Sequence, residues 1–295
     1  MSGGTTRSGL TPGGVAYSVR GSGPPVLWLS GYVIPVLAFA PVLKPLARSF
    51  TVVAVDHRGT GRSRTRARPT TATSMAADAI SVLDHLGLSS AHVVGTSLGG
   101  MVAQEIGIGW RHRVRSLALC STTAGGSGSK TPPVGDLGRL LHDNRARIPG
   151  AAQGPEVAGL AGLVWLWGAM HQAAAAASHD TTLRLGRITA PTLVLHGTAD
   201  DLAPVANGAW LARHVDGARW HPITGGTHLL AWESREARDV LTAWLEEHRD
   251  AVPRSAPPSP AARVAAVLEA PLRMAWGQSV PTRRTIRAAK ALLRP

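Results

Sequence analysis

Cysteine is almost missing: Cys120 is the single thiol in 295 residues. That excludes a disulfide scaffold, and its place at the end of the apolar run VRSLALC marks a buried, inert packing group rather than a nucleophile. Acidic residues are also scarce, 18 against 31 basic ones, for a net charge of +13. Nearly all the basic residues are arginine. No dense basic run with interleaved aromatics accompanies them, and aromatics make up only 4% of the chain, so nucleic acid is not expected as a partner. Residues 250–295 hold eight basic and two acidic side chains, which leaves the main body mildly basic. No apolar stretch reaches about 18 residues free of charge or breakers, and the opening MSGGTTRSGLTPGG has no apolar signal-peptide core, so a cytoplasmic protein is expected. Neither a G-x-x-x-x-G-K-[ST] phosphate loop nor a zinc-ligand cluster occurs, and no cofactor or metal is expected.

What the chain does have is an alternation of short apolar strands with helical segments. The strands are expected at Val15–Val19, Val26–Leu29, Thr51–Val55, His92–Val94, Val114–Leu119, Thr192–Leu195 and Arg219–Ile223. Because they are apolar throughout rather than half polar, they predict a mostly parallel sheet with helices on both faces. Ligands then gather at the carboxyl ends of the strands. The alternation stops between residues 124 and 187, where a Gly/Ser/Pro stretch precedes helical segments at 135–147 and 156–178, predicting an inserted cap. The core is expected to comprise residues 1–123 and 188–249. Beyond it, RDAVPRSAPPSP forms a proline-rich linker leading to a tail at 250–295 that ends in the basic, amphipathic RRTIRAAKALLR. Attachment of that tail to anionic lipid is conceivable but less expected than a solvated or self-docked helix.

The sharpest local signal is Gly95-Thr96-Ser97-Leu98-Gly99, a G-x-S-x-G spacing. With 33 glycines in the chain the five letters alone are weak. Their flanks strengthen them: a β-branched run feeds in, and Met101, Val102, Glu105 and Ile106 continue at helical spacing, giving the strand, turn and helix that thrust a serine oxygen outward. A serine nucleophile needs a base and an acid to orient that base. In TLVLHGTADDLAP a strand and glycine turn place Asp200 at a strand's carboxyl end, with Asp201 beside it as a helix-capping alternative. In RWHPITGGTHLLAWE a strand and two glycines precede His228, one of 12 histidines. His57 is the runner-up, but its surroundings suggest backbone bracing.

The order Ser, Asp, His, with the turn at Ser97, resembles the α/β-hydrolase superfamily from about Val15 to His248, most of the cap excepted. VVAVDHRGTGRS is similar to the family's D-x-R-G-x-G-x-S turn at Asp56, Arg58, Gly59, Gly61 and Ser63, and VLWLSGYVIP stands where its oxyanion loop follows a strand. Two departures occur: Ser30-Gly31 replaces the common His-Gly, and Gly-Thr-Ser the common Gly-His-Ser. The likeness is nearest to enol-lactone hydrolases and related carboxylesterases. It implies an α/β-hydrolase fold with a small helical cap, a catalytic Ser97, Asp200 and His228, and oxyanion donors at the backbone N–H groups of Tyr32 and Leu98. Serine at position 97 argues against dehalogenase or epoxide-hydrolase chemistry, which uses a carboxylate there. The expected reaction is hydrolysis of a carboxylic ester or lactone of a small, largely apolar molecule, with Tyr32, Val33, Trp165, Trp167 and Met170 as candidate pocket residues. A lyase, cyclase or acyltransferase on the same fold, and a ligand-binding receptor with a retained triad, stay open at this point.

Overall fold

The computed structural model describes residues 6–64, 70–131 and 160–254, and of residues 160–165 the backbone alone. Eight strands form one sheet: β1 (Arg7–Leu10), β2 (Ala16–Arg20), β3 (Pro25–Leu29), β4 (Thr51–Val55), β5 (Ala91–Thr96), β6 (Val114–Cys120), β7 (Thr192–Gly197) and β8 (Arg219–Ile223). Their spatial order is β1-β2-β4-β3-β5-β6-β7-β8. Strands β1 and β2 pair antiparallel with each other, and β2 pairs antiparallel with β4; every other pairing is parallel. All seven expected strands are present, within a few residues at their ends. β1 was not expected. Its sequence RSGL is mostly exposed at the sheet's edge, and it is ordered as a strand by its pairing with β2 rather than by an apolar pattern.

The helices follow from the same chemistry. Described helices are α1 (Ala40–Leu46), α2 (Ala72–His85), α3 (Leu98–Gly109), α4 (Leu160–Ala177), α5 (Ala206–His214), α6 (Leu230–Glu233) and α7 (Arg235–Glu247). Thr71 starts α2 with a capping box: its hydroxyl accepts from Ser74 N–H at 3.0 Å, and Ser74 Oγ accepts from Thr71 N–H at 2.9 Å. Successive strand residues point to opposite faces, and the core splits accordingly. Leu27, Leu29, Val53, Val55, Val93, Leu117, Leu119 and Val194 pack with α2, α3 and α5 on one face. Val26, Trp28, Val52, Ala54, Val94, Ala118, Cys120, Leu193 and Leu195 pack with α1, α6 and α7 on the other. Both faces are thus sealed over the central strands, which is why β3, β4 and β7 are apolar along most of their length; each buried Leu or Val contributes roughly 1.5–3 kcal/mol. Cys120 belongs to this core, and burial pushes its thiol up to about 12, so it is inert.

Between β6 and β7 the chain leaves the sheet and carries α4. The helix expected at 135–147, the side chain of Trp165 and the tail from residue 255 onward lie outside the described residues. Among the described residues no helix is long and apolar enough to cross a membrane.

Candidate active site

Four loops leave the carboxyl ends of β3, β5, β7 and β8 along one rim of the sheet, and the parallel register puts them side by side: Leu29 pairs with Gly95, Thr96 with Cys120 and Gly197 with Ile223. The loop after β5 is a single residue wide. Ser97 takes φ 54° and ψ −120° between β5 and α3, a left-handed conformation that a serine adopts only under constraint. The constraint is main-chain packing. Ser97 N–H donates to Cys120 O at 2.9 Å, Thr122 Oγ1 donates to Ser97 O at 2.8 Å, and a Cβ on Gly99 would press on the carbonyls of Leu29 and Ser30, the latter at 2.6 Å. Glycine at 99 therefore lets α3 sit against the end of β3, and glycine at 95 lets the strand pass under α3.

His228 arrives on the loop after β8. Its Nε2 lies 2.9 Å from Ser97 Oγ, and its Nδ1 lies 3.0 and 2.9 Å from the two carboxylate oxygens of Asp200. With Nδ1–H donating to the carboxylate, Nε2 is left to accept the serine hydroxyl. The Asp200 loop and the His228 loop are tied together by Ala199 N–H donating to Gly226 O at 2.8 Å and Thr198 N–H donating to Ile223 O at 2.9 Å. Asp200 Oδ1 also accepts from the backbone N–H groups of Leu202 (3.1 Å) and Ala203 (2.7 Å). Burial works to raise the Asp200 carboxyl, but the charge and hydrogen bonds of His228, with a hydrogen bond from His196, outweigh it and hold the acid below its ordinary value. It is a carboxylate at neutral pH. The neighbouring Asp201 takes no part in these contacts.

His196 is a partner that sequence reasoning missed. Its Nε2–H faces Ala203 O at 2.7 Å and Asp200 Oδ2 at 3.2 Å, so a second imidazole holds the carboxylate oxygen that His228 Nδ1 also reaches. The available signal was a polar residue in the otherwise apolar end of TLVLHG, four positions before the acid.

The loop after β3 supplies the other expected group. Gly31 lies against the nucleophile: a Cβ built there would sit 3.4 Å from Ser97 Cβ. The next residue, Tyr32, is half-buried against the core and Val33 is buried. Leu98 opens α3, and the first-turn N–H groups of a helix make its N-terminus favourable to negative charge. His57 braces this loop rather than joining the serine. It is buried, its Nε2 is 3.1 Å from Ser30 O, and burial lowers its pKa to about 4, so it donates as a neutral imidazole. Asp56 acts alongside it, accepting from Val36 N–H (2.8 Å) and Arg62 N–H (3.2 Å). The remaining residues of that turn are also structural: Arg58 Nε and Nη2 donate to Asp78 at 2.6 and 2.8 Å, and Ser63 Oγ bridges Asp56 O and Ala16 N–H.

A second missed residue is Gln172 on α4, fully buried, whose amide reaches Val33, Arg58 and Thr60. Gly168, Gln172 and Ala175 form the stripe of α4 that packs inward. Trp167 (47% exposed, with its ring against His171) and Met170 (57%) lie on the exposed flank, off that stripe. Among the described residues no group of three or more His, Cys, Asp or Glu side chains could hold a metal ion.

A family model described as alpha/beta hydrolase fold matches residues 24–155, which include Ser97 and the loop after β3. RutD of Azorhizobium caulinodans, by its name a candidate carbamate hydrolase, is 36% identical over 112 residues, 38% of this chain and 42% of its own. The chain thus matches less than half the length of that relative. A poly(3-hydroxyalkanoate) depolymerase of Ectopseudomonas oleovorans is 25% identical over 76% of this chain and 85% of its own. Among solved structures, Est816, titled an N-acyl homoserine lactone degrading enzyme, superposes with a TM-score of 0.61 at 26% identity, covering 78% of this chain and 96% of that one.

Proposed function

The chain belongs to the α/β-hydrolase superfamily, and from that premise we propose that it is a serine hydrolase cleaving a carboxylic ester or lactone of a small, largely apolar molecule. The observation that carries this reading is the continuous hydrogen-bonded line from Ser97 Oγ through His228 to Asp200. His228 Nε2 takes the hydroxyl proton as Ser97 Oγ attacks the carbonyl carbon, and Asp200 holds the imidazole and stabilises it once charged. The carbonyl oxygen becomes an anion received by the N–H groups of Tyr32 and Leu98, each worth about 10²–10³ in rate. His228 then returns the proton to the departing alkoxide, which in a lactone stays attached to the acyl group. Water, deprotonated by the same imidazole, releases the acid from Ser97.

The choice of ester or lactone is supported by what two of the proteins that match more than three quarters of the chain act on, by their names: a poly(3-hydroxyalkanoate) and an N-acyl homoserine lactone. The apolar composition of α4 favours an uncharged substrate. Its exposed Trp167 and Met170, and Tyr32 and Val33 on the loop after β3, are the residues proposed to meet that substrate.

The test is turnover of a panel of p-nitrophenyl esters and acyl homoserine lactones in ¹⁸O-labelled water. One labelled oxygen enters each acid released, and Ser97→Ala lowers kcat/KM by about 10⁴ or more. Product formed without label would overturn hydrolysis and favour a lyase, cyclase or acyltransferase. Saturable binding without turnover would favour a receptor.

A further inference from the structure

Val33 holds φ +46°, which for a β-branched residue is a true outlier. It occupies the third position of a turn closed by Ile34 N–H donating to Gly31 O at 3.3 Å, a position where positive φ ordinarily calls for glycine. Such strain persists only where the surroundings over-determine it. Here the restraint comes from the far side of the sequence. Gln172 Oε1 accepts the Val33 N–H at 2.8 Å, and its Nε2 donates to Arg58 O at 2.9 Å and Thr60 Oγ1 at 2.6 Å. Turning the amide over would set donor against donor at Val33 and oxygen against oxygen at Arg58, so only one orientation serves all three.

The helix that carries Gln172 is itself seated on the same turn. A Cβ on Gly168 would lie 2.5 Å from Gly59 Cα, so the two glycines let the backbones touch one helical turn before Gln172. Val33 N–H and Tyr32 N–H flank the Tyr32 α-carbon, and anchoring the first restricts where the second can point. We infer that Gln172 is a positioning residue for the oxyanion hole, and that the hole is assembled only while α4 is seated on the Arg58–Thr60 turn. This rests on the serine-hydrolase reading, in which Tyr32 N–H receives the oxyanion.

The experiment uses the full chain and a fluorophosphonate probe, whose phosphoryl oxygen occupies the oxyanion hole when it reacts with Ser97. Gln172→Met keeps the side chain's length and removes its hydrogen bonds. Its labelling rate constant falls about tenfold to a hundredfold, less than loss of a donor itself, and with p-nitrophenyl butyrate kcat falls while KM stays within twofold. In a Val33→Gly background, where glycine adopts positive φ unaided, the same substitution costs less than threefold. A packing role alone would leave the labelling rate of the folded enzyme unchanged or cost the same factor in both backgrounds, whatever the melting temperature does; either result overturns the inference. Should Gln172→Met not fold, Thr60→Val, which removes one partner of the Gln172 amide, is expected to lower the labelling rate by threefold or more with Val33 present and by less than threefold in the Val33→Gly background; a loss below threefold with Val33 present, or an equal loss in both backgrounds, overturns the inference. Failure of the wild-type enzyme to label at Ser97 would instead overturn the serine-hydrolase reading.

Discussion

At the candidate site Ser97 at φ 54° and Val33 at φ 46° both hold left-handed backbone, and they are held there by different means. Ser97 is fixed from nearby. The glycines two residues to either side admit backbone contacts that any side chain would block, and its own N–H bonds the neighbouring strand. Val33 is fixed from afar, by an amide 139 residues away on α4, while His57 and Asp56 brace the backbone just before and after it. The nucleophile's strain is therefore built into the sheet, whereas the oxyanion loop's strain is set by side chains on other elements. The first should resist any change short of unfolding. The second should respond to substitution, to cap position and to pH.

The largest expected effect is on the local side. Gly99→Ala would drive a methyl group into the carbonyls of Leu29, the last residue of β3, and Ser30 just after it, main-chain atoms that cannot give way as a flexible side chain would. A loss of stability on the order of 4 kcal/mol or more is expected, read by chemical denaturation. A variant within about 1 kcal/mol of wild type would show that the elbow is not clamped by main chain.

A smaller effect should appear on the distant side when the medium is acidified. His57 in the folded protein takes a proton only near pH 4, against an ordinary 6.5. Between those values the unfolded chain binds more protons than the folded one, so stability is full above about pH 6.5 and declines as the pH falls toward 4. His92 and His179, also lowered to about 4 by burial, add to the slope. His57→Gln keeps a donor for Ser30 O and cannot titrate. The difference in unfolding free energy between this variant and wild type should therefore shift in the variant's favour by on the order of 3 kcal/mol between pH 7 and pH 4. An unchanged difference would mean that His57 does not brace the loop as a buried neutral group.

The same contrast explains what the sequence made legible. Seven strands could be placed because each is a short, mostly apolar run between turn signals, and Ser97, Asp200 and His228 could be named because each follows a strand beside a glycine, a pattern contained within about a dozen residues. β1 was missed because RSGL has no apolar pattern of its own and is a strand only through its partner. Gln172 and His196 were missed for a related reason: what gives each its significance lies across a loop or on a different element. Gln172 did leave a trace, as one of two polar residues among the 18 of α4, with Gly168 four positions before it marking the side on which backbone comes close. Periodicity shows that a helix has such a side, but not which loop it meets.

The most direct test of the central claim is peptide mass spectrometry of the wild-type protein after reaction with a fluorophosphonate. The account predicts one covalent adduct, on Ser97, whose formation is lost in His228→Ala although that variant remains folded. An adduct on another residue, or an undiminished adduct on Ser97 without the imidazole, would contradict it.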